Sequence, residues 1–429
     1  MHINQLPTRT DAEGNTRIAI EIVIAPSYQP GEALAMEAQL QSDFNNICCQ
    51  AMGQLLSTYD TYGQPITRDG IDYTSKGRSP AVYQCCGGPL EIERHIYQSS
   101  KGGRTICPLE EHARIIAEAT PQFAKVTSSL YAMQSGRAVQ DTLHNTLQRT
   151  ISLECVQNIS GACGKAALAQ EEARPYAYQA DPAKVEAIIA LADSTCTAIV
   201  DEGWKHVTAG AFVLLDDNGE RLETIYLANA PEENKTTFWQ RMDIEHQRLK
   251  EHFPEVPWYG LCDGAPDIQA WLEARCDVLT LDFYHLSEYI AKARPAFGHD
   301  EPAQEKWYSQ ALHDLKHNEG SAEKLLGQIK RKAQNEAQPA GLKAELQSII
   351  GYLERNLERM EYALLSAENL PIGSGVIEAA CKTVVKQRSN LSGARWKRKG
   401  LQRVLALRSL KLSSNRIDQF WERCAKFGY

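Results

Sequence analysis

No stretch of this 429-residue sequence approaches the ~18 consecutive apolar residues that a membrane-spanning helix requires, so a membrane protein is excluded and no membrane partner is expected. The opening MHINQLPTRTDAEG lacks the basic flank and apolar run of a signal peptide. The expected location is a reducing cytoplasm in which the twelve cysteines are thiols. Internal repeats and low-complexity tracts are missing as well. So is a surplus of positive charge: 46 Lys and Arg against 54 Asp and Glu give −8, whereas a nucleic-acid-binding chain usually has a basic excess. What is present is a globular composition, 43% hydrophobic and 23% charged, over a length about three times the ~150 residues of a typical domain. Two or three domains with buried cores are expected, and a single small binding module is excluded.

The charge is unevenly placed. Residues 379–429 hold thirteen Lys and Arg against Asp418 and Glu422, a surplus of eleven, which leaves −19 on residues 1–378. That asymmetry points to a polyanion-binding C-terminal end, with a solvated basic helix face as the plainer alternative.

Along the chain, RIAIEIVIA (17–25) reads as a strand. Residues 32–58 read as an amphipathic helix with Ala33, Met36, Leu40, Phe44, Ile47, Ala51 and Leu55 on one stripe. Residues 81–109 alternate about a Gly-Gly turn, as in a hairpin. From 110 to 170 the pattern is helical with three breaks. It is compatible with a DNA-binding helix-turn-helix domain in which ISLECVQNISGACGKA is the second helix, or with any small helical bundle. EEARPYAYQADPAK (171–184) reads as a linker.

Beyond it the pattern changes. VEAIIALAD (185–193), HVTAGAFVLLD (206–216) and RLETIYLANA (221–230) are apolar, β-rich runs, and Asp217-Asn218-Gly219 is a tight turn between the last two. A helix (235–253), a strand (257–265), a helix (266–276) and a strand (277–285) complete the order βββαβαβ. A long helical interval, 286–367, carries Leu342, Leu346, Ile349, Leu353, Leu357, Met360 and Leu364 at spacings of three or four. NLPIGSG (369–375) breaks it before a new helix over 374–388. The expected fold class is α/β with an all-helical insertion, preceded by a mostly helical N-terminal region. The expected segments are 1–109, 110–175, 185–285, 286–370 and 371–429.

Three acids fall at chemically suggestive places: Asp193 ending the first strand, Asp263 ending the fourth before Gly264, and Glu378 early in the helix after the interval. Carboxylates at adjacent strand ends of one sheet repel each other, and divalent cations relieve that repulsion. Hard oxygen donors suit Mg²⁺, and a pair of such ions about 3.5–4 Å apart supports in-line phosphoryl transfer. Each acid taken alone also fits a turn or the first turn of a helix. Asp282, in LDFYH, is a fourth candidate, as a ligand or a support. Ile377, Ala380, Cys381 and Val384 form the buried stripe of the last helix, so Glu378, Lys382 and Lys386 are expected on its opposite face, beside phosphate or as an intrahelical Glu-Lys pair. In GARWKRKG, Trp396 lies among Arg395, Lys397, Arg398 and Lys399, with Arg388 upstream. This interleaving suits stacking on an unpaired base, with core packing as the alternative for the ring.

The segments GERLETIYLANAPE, GLCDGAPD, VLTLDFYHLSEYI, Leu315-Lys316-His317, LPIGSGVIEAACKTVVKQR and SGARWKRKG resemble bacterial insertion-sequence transposases of the ISKra type, from about residue 185 to the C-terminus. The resemblance implies a DDE enzyme, akin to Mutator-like transposases, with an RNase H-like catalytic domain. Asp193, Asp263 and Glu378 would be its catalytic and metal-binding triad, holding two Mg²⁺ or Mn²⁺ ions. It implies hydrolysis at the ends of a mobile element and 3′-OH strand transfer into target DNA, by a homodimer in a bacterial, nucleoid-associated setting. His285 matches a histidine shortly after the second acid in Mutator-like enzymes, where it would position DNA, or it is a satisfied strand-end histidine. The family usually has Asp-Gly at its first acid. Here Asp193 is followed by Ser194, and Asp201 competes for the role. Relatives often carry a paired-cysteine zinc ribbon in the N-terminal part. Cys48-Cys49 and Cys85-Cys86 lack its spacing, so no zinc is expected there. A relative that only binds DNA, and a standalone nuclease of the same fold, are the competing readings.

Overall fold

The computed structural model describes residues 2–5, 9–23 and 31–429, with side chains from residue 9 onward. The chain divides into two compact units, Met1–Ala173 with Asp418–Tyr429, and Arg174–Ile417. The expected segment 371–429 is therefore split, its last twelve residues belonging with the N-terminal unit.

In the first unit the long helix is Ala33–Ser57, and the Gly-Gly hairpin is formed by Ile71–Gln84 and Pro89–Ser99, with Ile66–Arg68 as a third antiparallel strand. Of the strand expected over 17–25, Ile20–Val23 pairs with His2–Gln5, and residues 24 and 25 lie outside the described residues. The two cysteine pairs face one another, Cys49 Sγ lying 3.8 Å from Cys85 Sγ. Gly88 permits this approach, since a Cβ there would lie 2.7 Å from Cys49 Sγ. Burial, reinforced by Cys85, pushes the Cys49 thiol up to about 12, so it stays protonated at neutral pH. Helices Pro121–Met133, Gly136–Leu147 and Leu153–Ala173 follow. The expected second helix of a helix-turn-helix is the N-terminal part of Leu153–Ala173, which buries Val156, Ile159, Cys163 and Ala167.

The second unit is built on a five-stranded mixed sheet: β1 (Ala187–Ile199), β2 (Gly203–Leu215), β3 (Arg221–Asn229), β4 (Trp258–Cys262) and β5 (Val278–Leu281). Its order is β3-β2-β1-β4-β5, with β1 to β3 antiparallel and β4 parallel to both β1 and β5. The linker expected at 171–184 is not free. Helix persists to Ala173, and the Gln179 and Ala180 amides donate to the buried Glu223 carboxylate. On one face α1 (Thr236–His252) lays Phe238 and Met242 against Ile188, Ala190, Phe212 and Leu214. Gly210 allows this approach, because a Cβ there would lie 2.5 Å from Met242 Sδ. Helix α2 (Pro266–Glu273) links β4 to β5.

The helical interval consists of α3 (Phe283–Ala291), α4 (Glu301–His317), α5 (Ser321–Gln334), α6 (Ala340–Asn356) and α7 (Tyr362–Ala367), which share a core containing Leu286, Leu315, Ile329, Leu346 and Leu353. The apolar stripe read as one helix through Leu364 stops at Asn356. A 3₁₀ turn at Leu357–Arg359 re-aims the chain and leaves Leu364 exposed. Helix α8 begins at Gly375–Ala380, winds as a π-helix over Cys381–Lys386 and ends at Gln387–Ser389. Helix α9 (Arg398–Leu412) closes the unit.

Candidate active site

Asp193 and Asp263 occupy equivalent positions on neighbouring strands. The parallel pairing of β1 with β4 ends at Leu191 opposite Leu261, and Asp193 and Asp263 are the next residues on the same side of each strand. Asp193 was expected to end its strand, and it does not. β1 continues to Ile199 because Thr195, Thr197 and Ile199 are buried, β-compatible residues paired with β2. Asp201, the competing first acid, sits in the turn at the far end of this β1-β2 ribbon with φ of 64°, away from Asp263. Asp263 follows β4 directly and its Oδ1 accepts from the Ala265 amide at 3.0 Å. Gly264 makes this turn with φ of 95°, a conformation that favours glycine.

Asp193 is half-buried. Its Oδ1 accepts from the Ser194 amide at 2.5 Å and its Oδ2 from the Cys381 thiol at 3.4 Å. Burial raises its carboxyl above the ordinary value and the charge of Asp263 adds to that, while the Ser194 amide, Cys381 and Lys386 oppose it. Burial and the charge of Asp193 hold the Cys381 thiol far above its ordinary value, so it remains a donor. Cys381 also feels the charge of Glu378, one turn earlier on α8. Cys381 was visible in the sequence as part of a buried stripe, and nothing in that pattern indicated its contact with Asp193.

Both carboxylate oxygens of Asp282 accept from backbone amides. The strand expected to run to His285 ends at Leu281, because the Asp282 carboxylate caps α3, its Oδ1 accepting from the His285 amide at 2.5 Å. Its Oδ2 accepts from the Ser374 amide, and the Phe283 amide donates to Ile372 O at 3.0 Å. A Cβ on Gly373 would lie 2.5 Å from the Tyr284 ring. LDFYH and LPIGSG are thus two halves of one lock, and Ser374 Oγ extends it to Glu378 Oε1 at 3.3 Å. With Asp282 1% exposed, its replacement by Ala is expected to cost about 2–3 kcal/mol in urea unfolding, through loss of the cap and of a charged hydrogen bond. His285 is half-buried in the first turn of α3, its ring edge-on to Tyr289 at 5.6 Å.

The π-helical stretch of α8 has a buried partner. Arg408 of α9 is fully buried and its guanidinium donates to the carbonyls of Thr383, and of Val384 at 2.7 Å, within that stretch. Burial, with repulsion from Arg388, lowers Arg408 to about 10, so it is still charged at neutral pH. Cys381, at the start of this stretch, bonds Asp193, and Lys386, at its end, is in electrostatic range of it. Arg408→Met is expected to lose at least about 2 kcal/mol of stability, read by urea denaturation, because two buried carbonyls lose a charged donor.

The expected polyanion-contact residues divide. Lys382, Lys386, Arg395, Lys397 and Lys399 are exposed. Arg388 and Trp396 are not: both are buried, with the guanidinium 4.8 Å from the ring centre and Trp396 Nε1 donating to Ser389 O at 2.9 Å. Neither presents a surface for stacking or for phosphate. Arg398 forms a forked ion pair with Glu202 and donates to Pro231 O at 2.8 Å.

Among the described residues no three His, Cys, Asp or Glu side chains are arranged as a ready-made metal cage. The donor chemistry of Asp193, Asp263 and Glu378 nevertheless suits a hard divalent cation, and the mutual repulsion of the first two is what such an ion relieves. No protein-family model matches the sequence, and a search of curated proteins finds no match.

Proposed function

We propose that residues 174–417 are an RNase H-like DDE transposase domain, which cleaves DNA at the ends of a mobile element and joins the freed 3′-hydroxyl to target DNA. The observation that carries this reading is the sheet order β3-β2-β1-β4-β5 with Asp193 and Asp263 in register beyond the last paired residues of β1 and β4. That order and register are what an RNase H-like nucleotidyl transferase would require, and the resemblance to ISKra-type transposases supplies the substrate class.

In this mechanism Asp193, Asp263 and Glu378 would hold Mg²⁺ or Mn²⁺, two ions per site, and such ions would supply activation of the attacking water or hydroxyl and stabilisation of the leaving oxygen. The protein's own contribution is positioning and charge. Ser194 and Cys381 fix the rotamer of Asp193, the Asp282 lock holds the start of α8, and Lys382 and Lys386 face the phosphodiester. The exposed bases of the C-terminal segment grip the backbone, and the first unit, with its three consecutive helices, reads the element's end sequence. Two copies pair two ends.

The test is incubation with DNA carrying the repeats that flank the gene and with Mg²⁺, mapping the cleaved phosphates and any joined product. Cleavage at the repeat boundary with joining is expected. Cleavage without joining, from pre-cut ends as well, would make the domain a nuclease.

A further inference from the structure

The two faces of the five-stranded sheet are covered differently. Strand alternation sends Ile188, Ala190, Phe212 and Leu214 to the core under α1, and Ile189, Leu191, Val213 and Leu261 to the opposite face. There the segment between α7 and α8 arches over the sheet. At one end it meets the β2-β3 turn so closely that a Cβ on Gly219 would lie 2.2 Å from Asn369 O, and Asn369 itself has φ of 58°. At the other end Ile372 O accepts from the Phe283 amide and the Ser374 amide donates to Asp282. Held at both ends, the arch leaves a cavity of about 180 Å³ beneath it, floored by Ile189, Leu191, Val213 and Leu261 and roofed by Leu370 and Val376.

The walls select an occupant. The floor side chains are aliphatic and buried, so water finds few partners there, and an apolar cavity of roughly 150 Å³ is known to stay dry and to take a benzene-sized ring. Left empty, the space costs its walls the dispersion contacts that such a ring restores. Charge enters at one point. Among the described residues that line the cavity, Arg221 is the one charged side chain, so no carboxylate in the wall opposes it. Arg221 is exposed, and it has no ion pair and no side-chain hydrogen bond among the described residues. The position of the cavity gives it a bearing on the acids. Leu191, Leu261 and Val376 stand two residues before Asp193, Asp263 and Glu378, so an occupant touches the support of each without meeting the acids themselves.

We propose that this cavity is a binding site for a monocyclic aromatic carboxylate, its ring between the aliphatic floor and roof and its carboxylate on the Arg221 guanidinium. A planar guanidinium pairs with a carboxylate through two parallel hydrogen bonds, which sets this class apart from a neutral or cationic ring of the same size. Occupancy ties the arch to the sheet, and the arch is the segment from which α8 and Glu378 start. The site goes beyond the DNA-cleaving function proposed above and does not rest on it, because none of its walls is one of the three acids.

The test titrates the full-length protein, without DNA, with benzoate, toluene and benzylamine by calorimetry, and follows hydrogen exchange of residues 369–376 as a second readout. Benzoate is expected to bind saturably with a Kd of about 0.1–1 mM, to slow exchange in the arch, and to bind about 10-fold or more tightly than benzylamine. Arg221→Gln is expected to weaken benzoate about 5- to 10-fold and to leave toluene within about a factor of two. Val213→Phe, which fills the cavity from its floor, is expected to abolish binding of both; should it fail to fold, Arg221→Gln at its exposed position still decides. Absence of saturable benzoate binding by the wild type overturns the proposal. So does equal benzoate binding by Arg221→Gln, or binding that leaves exchange of 369–376 unchanged or persists in a folded Val213→Phe. Because no DNA is present, failure of this site and failure of the transposase reading are separate results.

Discussion

Asp263→Asn and Glu378→Gln are each expected to lower Mg²⁺-dependent DNA cleavage by ~10³-fold or more while leaving duplex binding within a factor of a few of wild type. The reason lies in what these side chains touch. Asp263 continues the register of β4 beside Asp193, and its Oδ1 accepts from the Ala265 amide of its own turn. Glu378 is exposed on α8 and accepts a 3.3 Å bond from Ser374. Neither holds the core together, so an isosteric amide removes a metal-binding charge with little damage to the fold. The phosphate contacts proposed for the exposed Lys382, Lys386, Arg395, Lys397 and Lys399 would not depend on either acid. The comparison is a cleavage time course against a binding titration on the same DNA. Loss of both together would mean that the acids support the DNA surface and not the chemistry.

The second large effect is on stability. Glu245 of α1 and Arg416 are both buried, at 4% and 5% side-chain exposure, and form a forked ion pair to which Tyr178 adds a 3.1 Å hydrogen bond. Burial pushes the Glu245 carboxyl up, but the attraction and hydrogen bonds of Arg416, with the Tyr178 hydroxyl, outweigh it and hold the group below its ordinary value. Arg416→Met strands that carboxylate and is expected to cost about 3–5 kcal/mol, whereas replacing both partners with apolar residues of similar volume is expected to cost much less. Thermal or urea unfolding of the single and double variants checks this. The sign of the pH dependence follows from the direction of the shift. A carboxyl whose folded-state value is lowered contributes stability that is fully present above its ordinary value of 4.5 and is lost as pH falls through the lower folded-state value. Acid unfolding of the wild type should therefore steepen below about pH 4.5, and the double variant should lack that component.

Much of the sheet was legible because its strands are apolar and β-rich and its turn residues are decisive. Asp217-Asn218-Gly219 does close β2 onto β3, with Gly219 at φ of 75°. Strand ends were less legible, because one residue type serves two ends. An aspartate after an apolar run reads as a strand end, yet at Asp193 the strand continues, since Thr195, Thr197 and Ile199 find a partner strand and a covering helix. In Leu281-Asp282-Phe283 the aspartate does end the strand, and it does so by capping a helix that the aromatic residues after it had disguised.

At the site, the acids were readable as types in an element order, whereas their common register emerges only from strand pairing. The π-helical stretch was not readable at all: Arg408, which bonds its carbonyls, lies more than twenty residues downstream on another helix. The burial of Trp396 was equally hidden. Trp396 sits in a basic run that looks like a surface, but its ring packs on Arg388 and bonds Ser389. Trp204, after Gly203, is the exposed one of the two. The −8 net charge conceals both facts. Of the thirteen C-terminal bases, Arg388, Arg408 and Arg416 are buried inside the fold, so the surplus available to a polyanion is smaller than the composition suggests and is carried by the exposed lysines and Arg395.

The most direct measurement is strand joining from pre-cleaved element ends into a plasmid, with Mg²⁺, by wild type and by Asp263→Asn. Joined product from the wild type and none from the variant is the expected result; joined product from both, or from neither, would contradict a DDE transposase built on Asp193, Asp263 and Glu378.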